Sequence, residues 1–95
     1  MMPSTKQTVE DSQRIGMQFL IADLSVAHTF LDVAAVTQSE ETRKRNRLNA
    51  RTAYEMVLHF LPRVSASDEE YPALEDKLRK LKERLIAVGY ESTEW

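Results

Sequence analysis

The residues of this chain best suited to chemistry are basic side chains that recur at the spacing of helical turns. Arg43, Arg47 and Arg51 stand four residues apart, so they share one helix face, and Lys44 lies beside them. Guanidinium groups form paired hydrogen bonds to phosphates and carboxylates. We therefore predict that these four residues, which we call the basic stripe, contact an anion or an acidic partner.

The alternative interpretation of the basic stripe is a solvated helix face. Glu40 and Glu41 lie close enough in sequence to offset part of its positive charge. No aromatic residues alternate with the basic ones, although proteins that bind single-stranded nucleic acid use such residues for stacking. An acidic protein is therefore expected as the partner ahead of nucleic acid.

Asp23 is the second candidate, because helical projection places its carboxylate among the apolar residues of the first predicted helix. If the first two helices pack antiparallel, Asp23 reaches the level of Tyr54, whose hydroxyl can donate a hydrogen bond to it. We predict that Asp23 and Tyr54 form a buried polar pair that fixes the register of the two helices. The alternative is a general acid or base in a pocket, which would require a second polar group that the sequence does not supply.

The sequence contains two histidine–carboxylate pairs with a spacing of four residues, and their side chains could bind a metal. The pairs are His28 with Asp32 and Glu55 with His59. Both pairs are expected to point outward at different levels, so we interpret them as weak pairs between neighbouring helical turns. The sequence contains no cysteine, no nucleophile elbow and no glycine-rich phosphate loop. We therefore predict a protein that is not an enzyme and that binds no metal or other cofactor.

The overall composition is that of one small domain with a nearly balanced charge. The 95 residues carry a formal net charge of -2, which gives no general attraction to nucleic acid or to an anionic membrane. The polar start of the chain does not resemble a secretory signal. The apolar stretch at residues 17–24 is interrupted by Gln18 and Asp23 and is shorter than the ~20 residues that span a bilayer. We expect a cytoplasmic protein with no membrane segment.

Apolar residues at spacings of three and four predict an all-α antiparallel three-helix bundle, with helices at about 12–36, 40–61 and 72–88. A flexible N-terminal arm, residues 1–11, and a C-terminal tail, residues 90–95, are expected to flank the bundle at 12–89. Ser39 is predicted to cap the second helix, Pro62 to end it, Pro72 to start the third and Gly89 to stop it. The predicted inward row of the first helix is Leu20, Leu24, Ala27, Leu31 and Ala34.

The first helix has more apolar surface than two neighbouring helices should cover. A second row, Phe19, Val26, Phe30 and Val33, lies beside the inward row. Met17, Ile21 and Ala35 extend the apolar arc further, and we predict that these three residues form a dimer surface. Surplus apolar surface usually marks a partner site, and the commonest partner is a second copy of the same chain. The alternative is that the arm or Trp95 of the tail folds over this surface.

Taken together, these patterns predict a non-enzymatic helical module for protein–protein interaction that forms a homodimer and binds a further protein partner. The alternative is a small nucleic-acid-associated or regulatory protein that uses the basic stripe on the second helix.

Overall fold

The structure, a computed structural model, describes the backbone of residues 5–64 and 69–90 and the side chains of residues 16–64 and 69–90. Within these ranges it contains helices and no strand. The helices are α1 (Thr5–Val36), α2 (Glu40–Phe60), a short 3-10 turn (Leu61–Arg63) and α3 (Tyr71–Ala87). They pack against one another, so the predicted all-α three-helix bundle is confirmed.

The first helix begins at Thr5, about two turns before its predicted start near residue 12. Residues 5–15 contain neither proline nor glycine, so no residue in this range breaks the helix. Residues 5–11, which were expected to lie in a flexible arm, are therefore part of α1. Residues 1–4, and residues 91–95 of the predicted tail, lie outside the described residues.

The second helix begins where the sequence predicts. The side-chain oxygen of Ser39 accepts a hydrogen bond from the backbone N–H of Thr42 at 3.2 Å, which satisfies one of the free donors of the first turn. Glu40 and Glu41 place negative charge at the positive end of the helix dipole. The loop between α1 and α2 has only three residues, 37–39, and the cap at Ser39 fixes the start of α2.

Proline and glycine set the remaining helix ends. Pro62 lies in the 3-10 turn that follows Phe60, and Pro72 lies in the first turn of α3, where no backbone N–H is needed. Gly89 has a φ of 101°, the left-handed conformation that ends a helix and that other residues adopt at a cost. Pro72 and Gly89 act as predicted, whereas Leu61 before Pro62 keeps a helical conformation and the chain continues through the 3-10 turn.

The core is built from one face of each helix. On α1 the whole predicted inward row is buried, which confirms that prediction. The buried residues of the other two helices are Ala50, Tyr54 and Val57 on α2 and Leu74, Leu81 and Leu85 on α3. Each buried leucine stabilises the fold by about 1.5–3 kcal/mol, and no charged side chain is buried in the described part of the chain.

The segment Gly16–Val36 of α1 is long and apolar enough to cross a membrane by length and composition. Core helices and signal sequences also meet these two criteria, and part of this segment is buried against α2 and α3. The predicted absence of a membrane segment therefore stays a prediction.

Replacing the cap residue of α2 should weaken the fold measurably. We expect Ser39→Ala to lower the free energy of unfolding by about 1 kcal/mol, because it removes the hydrogen bond to the N–H of Thr42. The matched control is Ser25→Ala on the exposed side of α1, which should leave stability within about 0.5 kcal/mol because alanine favours helix. Urea unfolding followed by circular dichroism measures both, and equal losses would show that Ser39 has no capping role.

Candidate functional site

Arg43, the first residue of the basic stripe, is bonded to the end of α1. Its Nε donates to the carbonyl oxygen of Ala34 at 3.2 Å, and a terminal nitrogen donates to the carbonyl oxygen of Thr37 at 2.7 Å. Its other terminal nitrogen forms an ion pair with Glu40. The last carbonyls of a helix lack donors within the helix and lie at the negative end of its dipole. Arg43 therefore caps α1 rather than presenting a free cation.

The other residues of the basic stripe are in dissimilar environments. Arg51 forms an ion pair with Glu55 at 3.1 Å and lies over the ring of Tyr90. Arg47 is half-buried, and its Nε has no hydrogen-bond partner among the described residues. Lys44 is exposed. The stripe is therefore not one continuous row of free cations, and its contact with an anion stays a prediction.

Asp23 and Tyr54 do not form the predicted buried pair. Tyr54 is buried between α2 and α3, and burial raises the pKa of its hydroxyl. Asp23 is only half-buried, and it forms no hydrogen bond or ion pair with the described part of the chain. The reason is the width of the buried face of α1, which covers roughly 100° of the helix from Ala34 round to Met17. Asp23 projects beyond the edge of that face.

Tyr54 contributes to an open groove between α2 and α3 with a cavity volume of about 410 Å³. The groove is lined by Tyr54, Leu61, Tyr71, Glu75, Leu78, Arg79 and Lys82. Arg79 forms ion pairs within α3, with Asp76 at 2.8 Å and with Glu83 at 3.0 Å. The guanidinium at this groove is therefore already neutralised by its own helix.

The sequence predicted that His28 and Asp32 point outward into solvent. In the structure both residues instead face α3. Arg84 of α3 donates to Nδ1 of His28 at 3.0 Å and to a carboxylate oxygen of Asp32 at 2.7 Å. The other ring nitrogen of His28, Nε2, lies 3.4 Å from the backbone carbonyl oxygen of Lys77. Arg84 is thus a shared partner of His28 and Asp32, and the position of α3 could not be read from their spacing of four residues.

The prediction that Met17, Ile21 and Ala35 form a dimer surface is wrong. Met17 is completely buried in the core, and Ile21 is partly buried against it, whereas Ala35 is exposed. Helical projection places Met17 only about 20° from Leu24, within the face that packs against the other helices. Met17 is therefore not part of a surface that a second copy could contact.

The exposed apolar surface of α1 lies on the side opposite to the core. Phe19, Val26, Val33 and Val36 are 64%, 50%, 39% and 80% exposed, and Ala22 is exposed between them. These five residues, which we call the outer stripe, repeat at spacings of three, four and seven like the seam of a coiled coil. Helical projection places no charged side chain within the outer stripe.

Comparisons of the chain with protein-family models, with curated proteins and with solved structures give no match. A candidate function must therefore come from the geometry of this chain. Four of the seven large hydrophobic side chains that are exposed in the described residues belong to the outer stripe. The outer stripe is accordingly the candidate site.

The role assigned to Arg43 can be tested against its neighbour in the sequence. We expect Arg43→Gln to lower the free energy of unfolding by about 1–2 kcal/mol, because two carbonyls at the end of α1 lose a charged donor. Lys44→Gln is the control and should change stability by less than about 0.5 kcal/mol, since Lys44 is exposed. Urea unfolding of the two variants decides the question, and losses of equal size would contradict the capping role.

Proposed function

We propose that the protein is a non-enzymatic helical module that forms a homodimer through the outer stripe of α1. The observation that carries this proposal is the exposure of four large apolar side chains on one uncharged face of a single helix. Removing apolar surface from water is favourable by about 25 cal/mol per Å². Continuous apolar patches on a protein surface mark sites of contact with a protein or a lipid surface.

A second copy of the chain is the partner that the chemistry of the outer stripe suits best. Because the stripe carries no charged side chain, two copies can meet there without burying an unpaired charge. Val26 stands seven residues from both Phe19 and Val33, so these two residues are placed symmetrically about Val26. A twofold axis near Val26 lets each copy present the same residues to the other.

Side-chain volumes favour an antiparallel arrangement of the two α1 helices. In a parallel pair Phe19 would meet Phe19 and Ala22 would meet Ala22, so crowded layers would alternate with poorly filled ones. In an antiparallel pair centred on Val26, Phe19 of each copy meets Val33 of the other. Both of these layers combine a larger side chain with a smaller one, and the two helix dipoles also oppose each other.

The outer stripe is one helix wide, which limits the strength of the dimer. Interfaces that bury less than about 1,200 Å² in total are typical of weak or transient association. We expect the interface to lie in this range, and the dimer to dissociate on dilution.

The alternative function, a nucleic-acid-associated or regulatory protein that uses the basic stripe, has less support from the geometry. Arg43 is bonded to the end of α1 and Arg51 is paired with Glu55, so two of the four cations are engaged within the fold.

One charge placed in the outer stripe should abolish the dimer without unfolding the chain. We expect the unmodified protein to have the mass of a dimer at high concentration, and Val26→Glu to have that of a monomer, because the dimer would bury the new carboxylate. Ile86→Glu on α3 is the matched control, since Ile86 and Val26 are both 50% exposed. Size-exclusion chromatography with light scattering measures the masses, and circular dichroism checks that each variant is folded.

Two results would overturn the proposed dimer. The first is a monomeric mass for the unmodified protein at every concentration tested. The second is an equal effect of Val26→Glu and Ile86→Glu on the mass. If a monomer instead bound to vesicles of neutral phosphatidylcholine, and Val26→Glu removed that binding, the outer stripe would be a lipid contact.

A further inference from the structure

One arginine of α3, Arg84, bonds to three acceptors on α1. One terminal nitrogen of Arg84 donates to Nδ1 of His28 at 3.0 Å and also lies 3.3 Å from the backbone carbonyl oxygen of His28. The other terminal nitrogen donates to Asp32 at 2.7 Å. The imidazole of His28 is therefore a hydrogen-bond partner of a side chain on another helix.

The partners of the two ring nitrogens assign the proton on His28. The carbonyl oxygen of Lys77 can only accept, so the nitrogen that faces it, Nε2, carries the hydrogen. The guanidinium of Arg84 can only donate, so Nδ1 must offer a lone pair. Both contacts can form together only when the imidazole is neutral.

The surroundings of His28 favour that neutral form. Burial is the largest effect and lowers the pKa of His28, and the cations of Arg84 and Lys77 lower it further. The hydrogen bond to the Lys77 carbonyl and the carboxylate of Asp32 raise the pKa and so act in the opposite direction. Arg84 and Lys77 come from α3 and Asp32 from α1, and no described group of α2 adds a charge to this site. Two cations thus face His28 and one carboxylate opposes them.

We propose that the contact of His28 with Arg84 is a pH-sensitive switch, which holds α3 against α1 while His28 is neutral and weakens that attachment when His28 is protonated. A proton on Nδ1 removes the lone pair that Arg84 uses and places two positive charges about 3.0 Å apart. The buried leucines of α3 continue to hold that helix, so protonation loosens the attachment without unfolding the chain. The switch is independent of the proposed dimer, because helical projection places His28 on the opposite side of α1 from Val26.

The histidine resonances test the switch directly, because the chain has only two histidines and His59 is exposed. In an NMR titration we expect the pKa of His28 to lie below the ordinary histidine value of about 6.5. Arg84→Gln should raise the pKa of His28, since it removes a neighbouring cation. The proposal is overturned if His28 titrates at or above about 6.5, or if Arg84→Gln leaves the pKa of His28 unchanged.

The pH dependence of stability gives a second test. A group whose pKa is lowered by folding binds a proton more readily in the unfolded chain, so its contribution to stability is complete above the unfolded pKa of about 6.5. That contribution is lost as the pH falls through this value toward the folded pKa. Urea unfolding midpoints are compared at pH 7.5 and pH 5.5, roughly one unit either side of the unfolded pKa. We expect the midpoint of His28→Gln to fall less between these two pH values than the midpoints of the unmodified protein and of the control His59→Gln. Equal slopes for the three proteins contradict the switch, and if His28→Gln does not fold, the NMR titration decides alone.

Discussion

Two helices can cover only one side of a third, and this geometric constraint determines most features of the bundle. The longest helix, α1, supplies six of the twelve buried core residues, all of them on one face. α2 and α3 pack against that face and leave the far side of the helix uncovered. Because the far side carries Phe19, Ala22, Val26, Val33 and Val36, folding of a single chain buries only part of the apolar surface of α1. The proposed dimer would bury the remainder against a second copy.

Charged residues attach the other helices to the edges of α1. Arg43 connects the start of α2 to the last carbonyls of α1, and Arg84 connects α3 to His28 and Asp32 one to two turns earlier. These contacts lie at the boundary of the core and need no buried charge. They also explain why residues that resemble a binding surface in the sequence have partners inside the fold. The positive charge of this protein is therefore used in part to position its helices.

The sequence predicted the features that depend on local spacing and failed on those that depend on the placement of whole helices. The period of Leu20, Leu24 and Leu31 fixed the inward face of α1, and Ser39 and Gly89 fixed helix ends, because caps and turns act over a few residues. The pair Asp23–Tyr54 and the dimer residue Met17 were misplaced, since projection onto a helix wheel does not show how wide the buried face is. The contact of His28 with Arg84 spans more than fifty residues of sequence, and no pattern within one helix could reveal it.

Disulfide formation at the centre of the outer stripe is a direct test of the proposed dimer, because the chain contains no cysteine of its own. A symmetric dimer brings the middle of the stripe against its own copy, so the variant Val26→Cys should form a covalent dimer rapidly under mild oxidation. Ile86→Cys, at equal exposure on α3, should react much more slowly. Equal rates of cross-linking for the two variants, or no cross-link at Val26→Cys, would contradict an interface built on α1.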